Sequence, residues 1–198
     1  MYPTPTVTQT IITLSIEYII EKYYHGTILD SAEKIIRSGQ FQCSKNPDEW
    51  LGIGYYFFAH KSHAKIWAER RSRDCRNSGK AGHEYTPAIL SVILSCPDEQ
   101  VLDLDDPDQL KSLFNEVSEG LERTSSSLHA DFQKLPKPKK WFYAIEFYRQ
   151  THPEIKMTIY TFSVNPKKYK GDKRIFDYKQ RQICAHEHRI ISNIRKEA

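Results

Sequence analysis

The chain has 198 residues, is 39% hydrophobic and 12% aromatic, and carries a formal net charge of +4. That length and composition fit one domain with a substantial core and exclude a disordered chain. No apolar run is long enough to span a membrane, and MYPTPTVTQT lacks the basic start of a signal peptide, so a cytoplasmic protein is expected. Cys43, Cys75, Cys96 and Cys184 have no metal-like spacing and are expected to be reduced structural thiols, with no metal site.

In chain order, residues 1–16 are expected to form an extended arm or edge strand, and residues 17–198 a single domain. The Ile-, Thr- and Tyr-rich stretch from Ile11 to Tyr24 predicts one or two strands ending at a rim carried by His25. A helix follows, with Asp30 as N-cap, Glu33 at the capping-box position, Ala32, Ile35 and Ile36 on its apolar face and Gly39 as its stop. Asn46-Pro47-Asp48 marks a turn, Gly52–Phe58 a strand, and Ser62–Arg71 a second helix burying Ala64, Trp67 and Ala68. Ala88–Leu94 reads as a buried strand and Val101–Leu104 as a short one. Asp106-Pro107 opens an amphipathic helix through Leu121. Thr124–Ser127 and Pro136–Pro138 bracket an expected loop, after which come a helix over Trp141–Arg149 and a strand over Ile155–Val164. Arg181–Ala185 and Ile190–Ile191 read as short strands. This order predicts an α+β fold: a split, mostly antiparallel sheet with peripheral helices.

Two stretches carry chemistry: Tyr23-Tyr24-His25-Gly26-Thr27, and Trp50-Leu51-Gly52-Ile53-Gly54-Tyr55-Tyr56-Phe57-Phe58. Each sets glycine beside a polar or aromatic group, so that a ligand could approach bare backbone and stack on a ring. Taken singly, each is ordinary: a rim histidine, or a strand core of aromatics.

Together, in this order and about thirty residues apart, they resemble the His-Gly-Thr and Gly-x-Gly-x-Tyr-Phe motifs of NAD-dependent ADP-ribosyltransferases of the poly(ADP-ribose) polymerase and diphtheria-toxin type. The likeness is strongest to small bacterial domains of that superfamily and covers residues 23–68, with Gly39, Ala64, Trp67 and Ala68 also matching. It implies an NAD pocket in which His25 bonds the adenosine ribose, the Gly26 backbone bonds the nicotinamide carboxamide and Tyr56 stacks on the nicotinamide. Thr27, Gly54 and Tyr55 complete the cofactor site. His25, Tyr56 and Gln182 are the expected catalytic residues. Gln182 stands where the polymerases place Glu, which weighs against polymer elongation and leaves single ADP-ribose transfer or bare binding; Glu187 is the alternative carboxylate. The same likeness implies a toxin or phage-defence effector, with a neutralising antitoxin as a possible partner. It also leaves a non-catalytic NAD, ADP-ribose or RNA-binding module, or an RNA 2′-phosphotransferase, as rivals.

Charge is uneven. Residues 98–131 hold ten acids and two bases, residues 133–183 thirteen bases and four acids. Aromatics interleave the basic half, a mix that tracks and stacks single strands. The acceptor is therefore expected to be a nucleic acid, RNA favoured, or else a protein, held by Lys137, Lys139, Lys140 and Arg181; a pair of solvated faces is the plain alternative.

Overall fold

A computed structural model describes residues 17–78, 85–163 and 179–198. Among the described residues it is an α+β protein with five helices against a mixed seven-stranded sheet. Strands are β1 (Tyr18–Ile28), β2 (Tyr55–Phe58), β3 (Pro87–Pro97), β4 (Val101–Asp103), β5 (Met157–Ser163), β6 (Lys179–Ala185) and β7 (Ile191–Lys196). Helices are α1 (Leu29–Ser38), α2 (Lys61–Asn77), α3 (Pro107–Thr124), α4 (Ser126–Lys134) and α5 (Lys137–Thr151). The sheet runs β4-β5-β6-β2-β1-β3-β7, antiparallel except for the β4–β5 pair. No described helix is long and apolar enough to cross a membrane. The expected arm over residues 1–16 lies outside the described residues.

Cross-strand partners share a face. One face carries Tyr23, Phe57, Leu90, Val92, Ile159 and Ile183, packed under α1, Phe41 and Ile190. The opposite face splits its cover. The helix α2 packs over β1 and β3, while α3, α4 and α5 close over β4 to β6 around Leu102, Leu113, Val117, Trp141 and Ile145. Burial of two such apolar layers supplies the main favourable term of folding.

Several expectations are corrected. The strand does not end at His25: β1 runs through Gly26 and Thr27 to Ile28 and passes straight into α1, bonded to β3 along its whole length. That pairing outweighs the break expected at glycine. Asp30 is not the N-cap of α1; Ile28 holds that position without a side-chain bond, and Asp30 sits in the first turn. Gly39 does close the helix in the left-handed conformation, at φ 67°. Asp106 caps α3 by accepting from the Asp108 N–H. Where a loop was expected, Ser126–Lys134 forms α4, anchored by buried Phe132. The helix α5 begins earlier than its apolar pattern, because Pro138 is tolerated in a first turn.

Candidate functional site

His25 sits mid-strand on β1. Its ring is met edge-on by Phe41 at 5.2 Å and Phe57 at 6.0 Å. Its Nδ1–H donates to the Tyr56 carbonyl at 2.9 Å. A carbonyl can only accept, so this bond fixes the tautomer and leaves Nε2 as an acceptor. Burial lowers the pKa of the ring, with the Tyr56 bond opposing. A neutral imidazole with a free Nε2 suits a hydroxyl donor such as a ribose.

The register then separates two residues expected to converge. Tyr24 pairs with Phe58, so Phe57 and not Tyr56 stands opposite His25. Tyr56 points to the other face, under the 49–52 loop. There its hydroxyl donates to the Gly52 carbonyl at 2.6 Å and accepts from the Leu51 N–H at 3.2 Å. Burial raises its pKa. Tyr55 takes the His25 face instead, edge-on to His188 at 5.3 Å. The His188 Nε2 is buried with no partner among the described residues. Two imidazoles and Tyr55 therefore share the face on which His25 and Tyr56 were expected to meet.

What the structure does bring together is backbone. The Ala59 N–H donates to Arg181, so odd residues of β2 bond towards β6 and even ones towards β1. The Leu29 N–H donates to Thr86, which aims odd residues of β1 at β3 and even ones at β2. Tyr24 and Phe58 pair accordingly, but the ladder stops there. Gly26 and Tyr56 would be next. The N–H and C=O of Gly26 thus point into an interruption inside the sheet, beside the imidazole that takes the Tyr56 carbonyl.

The glycines have structural causes as well. A Cβ on Gly26 would run into the Ala64 carbonyl and lie 2.9 Å from the Ala68 nitrogen, so the close crossing of α2 already requires glycine there. Gly54 exchanges both main-chain bonds with Ser44, at 2.8 and 3.1 Å. Its peptide is committed to the fold, against the expectation of a ligand contact. Thr27 is buried on the His25 face.

Gln182 lies across from Phe58 on the Tyr56 face, and its Nε2 donates to the Gln180 Oε1 at 3.0 Å. Glu187 is taken up by Lys156, at 2.6 Å, and by Arg189. The basic residues fare unevenly. Arg181 is held by Asp103 at 2.9 Å and Asp105 at 3.3 Å, which removes much of its value as an acceptor contact. Lys140 donates to the Gln133 carbonyl at 2.7 Å. Lys137 rides over the rings of Trp50 and Trp141, at 5.7 and 5.9 Å. Lys139 has no ion pair among the described residues. The basic stretch 167–174 lies outside them.

The structure leaves one aromatic expected to be buried, Trp67, at the surface. Trp67 is 41% exposed, tilted against Phe58 at 6.2 Å, with the Arg70 guanidinium 5.6 Å over its ring. Its helical spacing with Ala64 and Ala68 gave the signal for α2 but not for which flank would stay bare. A cavity of about 520 Å³ lies between α2 and β3, lined by Lys61, Lys65, Pro87 and Ile89, away from His25.

Over 91 residues, 44% of this chain, the sequence is 32% identical to the uncharacterized protein MJ0359 of Methanocaldococcus jannaschii. The match spans 38% of that relative's length. No family model matches the chain, and no solved structure matches it.

Proposed function

We propose that the chain is an NAD-dependent mono-ADP-ribosyltransferase with an ADP-ribosyltransferase-like fold, its co-substrate seated at the opening between β1 and β2. The observation that carries this reading is the interruption of the ladder immediately after Tyr24 and Phe58, with the Gly26 peptide aimed into it. A planar carboxamide needs one donor and one acceptor side by side, and a strand peptide offers that pair. His25 Nε2 supplies an acceptor for a ribose hydroxyl beside it. These are the groups the motif likeness singles out. In the reaction, the bond between nicotinamide and ribose C1′ breaks with its electron pair leaving on nicotinamide. An acceptor nucleophile bonds C1′ and releases its proton. Gln182 lies on the face opposite His25, and an amide there adds no negative charge to the developing cation, which fits single transfer. A toxin or defence role, neutralised by a partner, belongs to the same proposal.

A second reading has its own support. With the Tyr56 hydroxyl committed to Gly52 and Leu51, and Gln182 in place of a carboxylate, the chain would be an NAD, ADP-ribose or RNA-binding module. Purified protein incubated with NAD decides between them. Nicotinamide release, lost in a folded His25→Ala variant, supports the transferase. Calorimetric NAD binding without release supports the module; neither binding nor release refutes the transferase and an NAD-binding module, and titration with ADP-ribose or RNA then tests the rest of the second reading.

A further inference from the structure

Gln182 is half-buried on the face shared by the two helical covers, and each border carries a tryptophan topped by a cation. On one side Trp67 of α2 leans on Phe58 with Arg70 over its ring. On the other, Trp50 packs edge-on against Phe162 at 5.3 Å, with Lys137 over its ring. Phe58 and Phe162 sit on β2 and β5, with only β6 between them, so the two indoles are anchored on strands roughly 10 Å apart. Gln182, on β6, lies in the intervening strip.

We propose that this strip is a docking surface for single-stranded nucleic acid, with bases stacked on Trp67 and Trp50 and phosphates met by Arg70 and Lys137. The charge fits that occupant. The helix α2 carries six Lys or Arg against two acids, and Arg71 and Arg73 are exposed with no acidic partner among the described residues. Arg70 makes only a long contact with Asp74, at 3.8 Å, between two exposed side chains, which holds it weakly. A flat indole beside exposed guanidinium groups stacks any base without reading sequence. A duplex hides its bases and would gain only the phosphate contacts. As an acceptor surface the strip rests on the transferase reading, since it would bring a strand across Gln182; as a binding surface it does not.

The test is fluorescence anisotropy of labelled oligo-uridine and oligo-deoxythymidine of about 12 nucleotides, without NAD, at about 50 and about 200 mM salt. The wild-type protein should bind both, more weakly at higher salt. Trp67→Ala should weaken binding about tenfold, given the usual worth of one stacked base, and Trp67→Phe should restore most of it. Arg70→Ala and Lys137→Ala should each weaken binding and flatten its salt dependence, while Arg123→Ala on α3 should not. Preference for one sugar identifies RNA or DNA as the natural strand. Absence of wild-type binding, equal affinity for duplex, or unchanged affinity in Trp67→Ala and Lys137→Ala overturns the proposal. So does loss of NAD binding in Trp67→Ala with oligonucleotide affinity intact, which would give the indole to the dinucleotide. Failure of NAD turnover with oligonucleotide binding preserved would refute the transferase and leave this surface standing.

Discussion

Replacing Tyr56 by Phe separates a ligand-stacking tyrosine from one that fastens a loop. The ring stays and only the hydroxyl goes, so stacking on either face of the sheet is unaffected. The hydroxyl donates to Gly52 at 2.6 Å and accepts from Leu51 at 3.2 Å, and both residues are buried. Water cannot readily replace it, so one carbonyl and one N–H lose their partner. Each unsatisfied buried group costs about 1–3 kcal/mol, and loop relaxation recovers part of that. A net loss of about 2 kcal/mol is expected, equivalent to a melting temperature lower by about 4–8 °C for a domain of this size. Urea unfolding followed by circular dichroism should show a lower midpoint with an unchanged slope. Nicotinamide release per folded molecule should persist. An unchanged midpoint together with lost turnover would refute the loop-fastening role and return the hydroxyl to the ligand.

Acid should destabilise the protein through His186. Its Nδ1–H donates to the Ile53 carbonyl and its Nε2 accepts from Thr158, both at 2.7 Å, and burial followed by the nearby Arg149 charge pushes its pKa from 6.5 to about 3. Between those values the unfolded chain binds a proton that the folded one refuses, so stability falls as pH drops below about 6.5. By pH 5 the loss should reach about 2 kcal/mol, and a melt series from pH 8 to pH 5 that stays flat would contradict it. Arg181→Ala should lower stability by about 1 kcal/mol or less, since its ion pairs with Asp103 and Asp105 are partly exposed. Oligonucleotide affinity should be unchanged, and a large loss would show that Arg181 is a contact after all. Gln182→Glu should raise nicotinamide release by about tenfold or more if a cation develops beside it. An unchanged rate with normal folding favours the binding module.

Local signals in the sequence carried well. Gly39 closes α1, Asp106 caps α3, and the α+β class follows from the alternation of strand-like and helical runs. What failed depends on partners far along the chain. Alternation tells that Tyr55 and Tyr56 face opposite ways, but only pairing with β1 decides which of them joins His25. Gly26 reads as a glycine kept for a ligand alone, whereas the crossing of α2 also requires it. Arg181 reads as a free charge because Asp103, which binds it, is 78 residues away. The helix α4 was hidden by a serine run that favours turns, and is held instead by Phe132. The interruption between β1 and β2 has no local signature at all; it arises from register.

The most direct test is a nitrogen-15 NMR titration of the protein with NAD. The Gly26 amide and the His25 ring nitrogens should shift together and saturate at one dissociation constant, while the Gly54 amide, bonded to Ser44, should stay in place. Shifts confined to other residues, with Gly26 and His25 unmoved at saturating NAD, would contradict the placement of the dinucleotide.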